Sequence, residues 1–203
     1  MDLVERVRAR AELLRGARGR AAPTASLQIL VRAGAWSDPS AGERLARLCL
    51  AAAEALGADP LFAARRTARL RVQAPAEPVL WVGPDGGRTW LRLGRAELGA
   101  GCQALAARLS AGDPRAEATA PAGLEILDLS TLGALEWRGA LLGGAQGRLC
   151  LLAARPAPSG AQEAFGLALD FDAAWCEAGR AARFLAAVAT ALGAERVGCG
   201  PRS

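Results

Sequence analysis

Apolar residues recur along this chain with two different periods. Spacings of three and four residues predict amphipathic helices, whereas runs or alternations of apolar residues predict strands. Glycine and proline separate these segments. The helical spacing covers residues 1–15, 43–57, 97–110 and 177–192. The strand pattern covers residues 26–33, 68–73, 79–82, 89–93, 124–130, 147–153 and 165–171.

Local signals support two of these predictions. In the helix predicted at 43–57, the apolar stripe ends at Gly57, and glycine is a common helix stop. Between the strands predicted at 79–82 and 89–93, the sequence Pro-Asp-Gly-Gly at 84–87 predicts a hairpin turn. That glycine-rich segment lacks the Lys-Ser/Thr of a phosphate-binding loop, so turn chemistry accounts for it.

The chain is predicted to form a single domain with a basic N-terminal helix. This helix would span residues 1–22, followed by a core at 24–195 and a tail at 196–203. An organelle transit peptide is also arginine-rich and amphipathic, but it avoids acidic residues. Asp2 and Glu12 therefore favour a structural helix over a transit peptide.

Composition excludes several kinds of chemistry. The 203 residues suit one domain, and 52% of them are hydrophobic, which is enough for a packed core. The chain has no histidine, lysine, tyrosine or asparagine, so all 25 positive charges are arginines. It offers no imidazole base or ligand and no lysine for a Schiff base, which leaves acid–base work to Asp, Glu and Cys. The net charge is +5, but the aromatic and basic interleaving of a single-strand binder is absent.

The cysteines and the apolar runs give two further expectations. No two cysteines form a CxxC pair, so we expect reduced, buried thiols and no metal site. No apolar run approaches the roughly 20 residues needed to span a bilayer. The five cysteines are Cys49, Cys102, Cys150, Cys176 and Cys199.

The most specific pattern lies near the C-terminus. It reads Leu-Asp-Phe-Asp-Ala-Ala-Trp-Cys-Glu at 169–177, followed by Ala-Ala-Arg-Phe-Leu at 181–185. It resembles the last strand, active-site turn and final helix of the dihydrolipoamide acyltransferase catalytic domain. That family reads Ser-Phe-Asp-His-Arg, two apolar residues and Asp-Gly, and then a helix with Ala-Ala-x-Phe-Leu. Pro-Asp-Gly at 84–86 and Leu-Ser-Thr-Leu-Gly at 129–133 match further family motifs in the same order.

The resemblance runs from end to end of the chain and implies a fold. The expected architecture is a two-layer α/β domain of the chloramphenicol-acetyltransferase-like type, with a mixed sheet and helices packed on one face. The family builds trimers and places its active site between neighbouring subunits.

The positions that carry the family's chemistry are changed in this chain. Ala173 stands where the family has its catalytic histidine, which takes a proton from the thiol of coenzyme A or dihydrolipoamide. Leu127 stands where a hydroxyl steadies the oxyanion in the family. A base contributes about 10²–10⁴-fold to a rate, and an oxyanion donor about 10²–10³-fold. A one-residue slip that brought Ser130 or Thr131 to the site would still supply no base.

Three residues on the same turn carry alternatives. Glu177, at the position of the motif aspartate, is either a residual acid or a first-turn carboxylate favoured by the helix dipole. Cys176 is either a nucleophile near a helix N-terminus or a structural cysteine, and no His or Lys is present to activate it. Trp175 is left open between a ligand slot and ordinary packing.

We therefore expect an acyltransferase fold without catalysis, with no cofactor and no metal. The chain would be a structural subunit of a large assembly, either a 2-oxo acid dehydrogenase core or another mitochondrial complex that recruited the domain. Its partners would be protein subunits, in a homotrimer or in a heterotrimer with related chains. No lipoyl domain, subunit-binding domain, nucleic acid or transmembrane segment is expected, and mitochondrial residence is implied by the family alone.

Two other hypotheses remain. The chain could be a coenzyme A-dependent acyltransferase, or a coenzyme A-binding module, with an altered active site. It could also be an unrelated α/β domain whose motif match is due to chance. A fold that lacks the long helix after the turn at 171–177 would favour the chance match.

Overall fold

A computed structural model of the chain describes somewhat more than half of its length as helices, strands and the turns between them. The described residues are 24–32, 40–59, 65–66, 72–73, 80–83, 91–111, 123–137, 141, 145–156, 163–173, 176–193 and 196–197. The helices are α1 (Ala41–Ala58), α2 (Arg95–Gly99), α3 (Cys102–Ala111) and α4 (Ala178–Ala191). The strands are β1 (Thr24–Arg32), β2 (Arg65–Arg66), β3 (Val72–Gln73), β4 (Leu80–Gly83), β5 (Leu91–Leu93), β6 (Gly123–Asp128), β7 (Ala145–Pro156), β8 (Glu163–Asp172) and β9 (Arg196–Val197).

Seven strands form one mixed sheet in the order β5-β4-β6-β7-β8-β1-β9, and β2 and β3 pair separately. The pairs β4–β6 and β6–β7 are parallel, and the remaining pairs in the sheet are antiparallel. Because side chains alternate between the two faces of a strand, residues in register across the sheet share a face. One such row is apolar across six strands and consists of Leu27, Leu169, Leu149, Ile126, Val82 and Leu91.

The apolar row belongs to a core between the sheet and the helices. The buried faces of α1, α3 and α4 pack on this side of the sheet, and the core includes Phe171 of the closing strand and Phe184 of the closing helix. Helix α1 begins at Ser40, whose hydroxyl accepts a hydrogen bond from the backbone N–H of Glu43. A second, smaller apolar cluster lies on the opposite face, which no described helix covers. In the described residues, the helices therefore lie on one face of the sheet.

Glycine at position 42 allows α1 and α3 to approach closely. A Cβ at this position would contact the Ser110 hydroxyl and would lie 3.1 Å from the carbonyl oxygen of Ala106. Both neighbours belong to α3, and the backbone atom cannot move away without shifting that helix. The two helices therefore pack with almost no side chain between them at this point.

The structure differs from the predicted pattern in two helices and one strand. The helix predicted at 97–110 is two helices, because Gly101 adopts a left-handed φ of 88° between them. Helix α1 starts two residues earlier than predicted, at Ala41, and Ser40 is its N-cap. Residues 196–197, which were assigned to a tail, pair with β1 as β9.

Several predicted segments lie wholly or partly outside the described residues. These are the N-terminal helix, the Pro-Asp-Gly-Gly turn and most of the strand at 68–73. The two strands that flank the turn are described, and they pair antiparallel as a hairpin requires. Within the described part of the chain, no helix is both long and apolar enough to cross a membrane.

Candidate functional site

The turn after β8 holds the position at which the resemblance puts a catalytic histidine. The backbone N–H of Cys176 donates to the carbonyl oxygen of Asp172 over 2.9 Å, which brings the chain round from β8 towards α4. Ala173 is exposed on this turn, and residues 174–175 lie outside the described residues. The turn therefore presents a methyl group where an imidazole would be needed.

The backbone of Glu177 caps the N-terminus of α4. It is the N-cap residue, and its carbonyl oxygen accepts hydrogen bonds of 3.0 Å from the N–H groups of Arg180 and Ala181. Its exposed side chain makes no capping hydrogen bond. The carboxylate lies at the positive end of the helix dipole, which agrees with the structural alternative.

A bidentate ion pair ties this turn to α1. Arg180 donates from Nε and Nη2 to the two carboxylate oxygens of Asp59, over 2.6 and 2.5 Å, and Asp59 is the C-cap of α1. The hydrogen bonds to Asp59 raise the pKa of Arg180, which keeps its charge fixed. Both side chains are partly exposed, so the ion pair adds little to stability. The contact links the first turn of α4 to the end of α1.

Cys176 has the environment of a structural thiol. Its side chain is buried, and its Sγ lies 3.4 Å from the carbonyl oxygen of Glu177. Burial raises the pKa of Cys176, and this outweighs the opposing effect of Arg180. A thiol with a raised pKa stays protonated at neutral pH and is a poor nucleophile.

Leu127, at the predicted oxyanion position, lies on the helix-free face of the sheet. Its side chain is 4% exposed and belongs to the smaller apolar cluster. Trp137 and Ala134 pack against this cluster from a segment that follows β6. The members of the cluster are Leu127, Leu129, Cys150, Leu152 and Ala168.

The two neighbouring hydroxyls do not replace the missing donor. Ser130 donates from both its N–H and its hydroxyl to the same carboxylate oxygen of Asp128, which closes a local turn. Thr131 is exposed on the 3₁₀ turn at 130–132. The hydroxyl of Ser130 is thus engaged in holding the turn, and the apolar cluster contains no hydroxyl group.

The positions of Leu127 and Ala173 lie far apart within one chain. Leu127 is level with Cys150, and Cys150 is level with Ala168, so Leu127 lies two strands away from β8. Ala173 follows Ala168 by five residues, which is about 16 Å along an extended strand. That separation is far beyond hydrogen-bond reach, so the two positions of one chain cannot contact the same reacting atom.

A row of polar side chains crosses the helix-free face one step from the cluster. In register order it consists of Ser26, Asp170, Arg148 and Glu125, which come from four adjacent strands. Arg148 donates to Glu125 from Nε and Nη2, both over 2.7 Å, and both side chains are buried. Asp170 is fully buried and accepts from the Ser26 hydroxyl over 2.5 Å and from the Trp137 indole N–H over 2.9 Å.

Burial raises the pKa of two groups on this face of the sheet, Glu125 and Cys150. It raises the pKa of Glu125, although the Arg148 guanidinium acts in the opposite direction. Burial also raises the pKa of the Cys150 thiol, and the nearby Asp170 carboxylate adds to that effect. In the described residues, no group of His, Cys, Asp and Glu side chains is arranged to hold a metal ion.

Solved acyltransferase structures share this architecture. A probable dihydrolipoamide acetyltransferase from Listeria monocytogenes aligns over 95% of this chain and 92% of its own, with a TM-score of 0.67 and 15% identity. A truncated catalytic core of the 2-oxoacid dehydrogenase multienzyme complex from Thermoplasma acidophilum aligns over 95% and 96%, with a TM-score of 0.65 and 15% identity. A chloramphenicol acetyltransferase aligns over 90% and 94%, with a TM-score of 0.52 and 13% identity. The chain has the chloramphenicol-acetyltransferase-like fold.

This assignment confirms the predicted fold class, a mixed sheet with helices on one face. Identities near 15% show the chloramphenicol-acetyltransferase-like fold and not an activity. No family model matches the chain, and no curated protein matches it.

Sequence reasoning missed the buried polar groups of the helix-free face. Glu125, Arg148 and Asp170 each interrupt an apolar strand, and that interruption was the available signal. Trp137 packs against the apolar cluster and also donates a hydrogen bond to a buried carboxylate. Gln146 is buried at an irregularity in the β6–β7 register, and its amide has no hydrogen-bond partner among the residues that the structure describes.

Proposed function

We propose that this chain is a non-catalytic structural subunit with an acyltransferase fold. One observation carries the proposal. Leu127 is sealed in an apolar cluster beneath Trp137, whereas Ala173 presents only a methyl group, so both chemical positions hold inert side chains.

The rest of the chemistry near the turn supports the same proposal. The chain contains no histidine, so no other part of it can supply an imidazole. Cys176 is buried, and its raised pKa keeps the thiol protonated. Glu177 remains as an exposed acid, but Leu127, at the oxyanion position, offers no hydrogen-bond donor. Acyl transfer from a thioester needs both proton removal and charge stabilisation.

Assembly with further chains is the second part of the proposal. The positions of Leu127 and Ala173 on one chain lie two strands apart across the sheet and about 16 Å apart along the strand direction, which is the geometry expected of a fold whose site is completed by a neighbour. One of the similar solved structures is the catalytic core of a multienzyme complex. We propose that the partners are further copies of this chain or related chains, arranged as trimers.

Acyl transfer by the purified full chain tests the lack of catalysis. Acetyl-coenzyme A and dihydrolipoamide are supplied, and the S-acetyldihydrolipoamide and free coenzyme A produced are measured by chromatography against a protein-free blank. We expect the rate of the blank, and the same rate for Glu177→Ala. A rate above the blank that falls in Glu177→Ala would contradict the proposal and would identify a working enzyme. Titration calorimetry with coenzyme A separates the remaining alternative, since tight binding without turnover indicates a coenzyme A-binding module.

Mass measurement in solution tests the assembly. Mass photometry and sedimentation velocity over a range of concentrations should show species of three chains or multiples of three. Glu177→Ala and Cys176→Ala should give the same distribution, because the Glu177 side chain is exposed and the Cys176 substitution removes only one buried sulfur atom. A chain that stays monomeric at every concentration, both alone and with the other proteins of its source, would rule out a structural subunit.

A further inference from the structure

A short segment of the chain lies across the helix-free face of the sheet. This segment, residues 133–137, is called the strap. It begins at Gly133, whose left-handed φ of 70° ends the 3₁₀ turn and directs the chain back over the sheet. The carbonyl oxygen of Ala134 accepts a hydrogen bond from the N–H of Ala153 in β7 over 2.7 Å. The carbonyl oxygen of Leu135 accepts from the Gln28 amide in β1 over 3.3 Å.

The third contact between the strap and the sheet is made by the side chain of Trp137. The ring of Trp137 packs against the apolar cluster that contains Leu127, and its N–H donates to Asp170 in β8. Asp170 has no exposed surface, and its other carboxylate oxygen accepts from Ser26. The indole therefore packs on the apolar cluster and donates to one buried carboxylate, that of Asp170.

An apolar surface with one convergent polar group is the usual composition of a small-molecule site. The Asp170 oxygen that accepts from Trp137 selects for a hydrogen-bond donor, because removal of the indole takes one hydrogen bond away from a buried carboxylate. The apolar cluster beneath the indole favours a flat, uncharged ring. Both requirements are met by an aromatic heterocycle that carries an N–H group.

We propose that the helix-free face carries a binding slot for a planar aromatic N–H donor, and that Trp137 of the strap is its built-in occupant. The strap thus blocks the slot in the intact chain. This inference rests on the contacts of Trp137 alone and holds whether or not the chain is a structural subunit, because ligand binding and acyl transfer are measured separately.

Replacement of the occupant by an added ligand tests the slot. Trp137→Gly in the full chain removes the indole and leaves the carboxylate in place. Indole is the probe, and benzothiophene is the matched probe of similar shape without an N–H group. Binding is measured by titration calorimetry and by the shift in melting temperature. We expect indole to bind Trp137→Gly and raise its melting temperature, with an affinity about 10- to 100-fold higher than that of benzothiophene. The wild-type chain should bind neither probe.

Two further variants locate the interaction. Trp137→Gly with Asp170→Leu should lose the preference for indole over benzothiophene, because the acceptor is gone. Leu132→Gly is the control, because it truncates a side chain near the strap that is 71% exposed. This variant should bind neither probe. If the chain with Trp137→Gly is unfolded alone, its refolding on addition of indole, but not of benzothiophene, supports the slot.

Three results would overturn the proposal. The first is a folded Trp137→Gly chain that binds neither probe. The second is equal affinity for both probes, which would mean that Asp170 takes no part. The third is a Trp137→Gly chain that is unfolded and not restored by indole. Trp137→Phe gives an independent check, because it keeps a ring but removes the donor: a stability equal to that of the wild type would show that the tie to Asp170 is dispensable.

Discussion

Removal of the Arg148 guanidinium should have an effect that depends strongly on pH. In Arg148→Met the Glu125 carboxylate keeps its buried position but loses the cation that opposes its desolvation. The carboxylate then takes up a proton, because a lone buried charge is more costly than a neutral acid. Asp170 retains two of its own donors, Ser26 and Trp137, so the effect is assigned to Glu125.

The cost follows from the difference between the folded and unfolded pKa values of Glu125. In the unfolded chain glutamate has a pKa of about 4.3, so protonation at pH 7 costs about 3.7 kcal/mol. Burial already raises the pKa of Glu125 in the wild type, so we expect Arg148→Met to lower the free energy of unfolding by at most about 3–4 kcal/mol at pH 7. The folded variant holds a proton that the unfolded chain releases above pH 4.3. Its stability should thus fall by about 1.4 kcal/mol for each pH unit, from that pH up to the raised folded pKa.

Urea denaturation between pH 4.5 and pH 8 is a suitable assay for this loss. The protein concentration is held constant, since association would change the apparent stability. Arg92→Met is the matched control, because Arg92 is an exposed strand arginine at the edge of the same sheet and should change stability by less than about 0.5 kcal/mol. Glu125→Leu with Arg148→Met should be neutral or more stable by about 1–4 kcal/mol. A cost below about 1 kcal/mol for Arg148→Met, without a pH slope, would show that the pair is solvated.

Three other changes test the packing and one helix terminus. Phe184→Ala should lower the free energy of unfolding in urea by about 3–5 kcal/mol, because the ring is buried between α4 and the sheet. Leu132→Ala, at an exposed site, should lower it by about 0.5 kcal/mol or less, and equal effects would contradict the placement of Phe184 in the core. Gly166→Ala should cost about 1–3 kcal/mol, since its Cβ would lie 2.9 Å from Leu152 Cδ1, and an unchanged melting temperature would contradict that contact. Backbone hydrogen bonds lower the pKa of Glu97, so its stabilisation is present above about pH 4.3 and is lost as the pH falls through the folded pKa. The stability gap between wild type and Glu97→Gln should therefore close between pH 7 and pH 3, and a gap that stays constant would contradict this reasoning.

The strands and the closing helix could be predicted because their pattern is local. Apolar runs at 147–153 and 165–171 lie within β7 and β8, and the helical stripe at 177–192 corresponds to α4. The break between α2 and α3 was not predicted. It depends on a single left-handed glycine, Gly101, and a helix tolerates a glycine without breaking.

The helix-free face could not be predicted, because its contacts join distant parts of the chain. An alternating strand such as 124–130 normally has its polar side chains in water. Here Glu125 is buried, because Arg148 arrives from the next strand, 23 residues later, and neutralises it. Asp170 is likewise matched by Ser26 from a strand 144 residues earlier. Spacing within one strand carries no information about such partners.

The free thiols provide a chemical reporter for each side of the sheet. Cys49 is buried among the helices, and Cys150 is buried under the strap on the other side. Burial raises the pKa of both thiols, so neither reacts with an alkylating reagent until its own layer opens. Pulsed alkylation followed by peptide mass analysis can therefore time the release of the strap separately from the melting of the helical layer, without any added label.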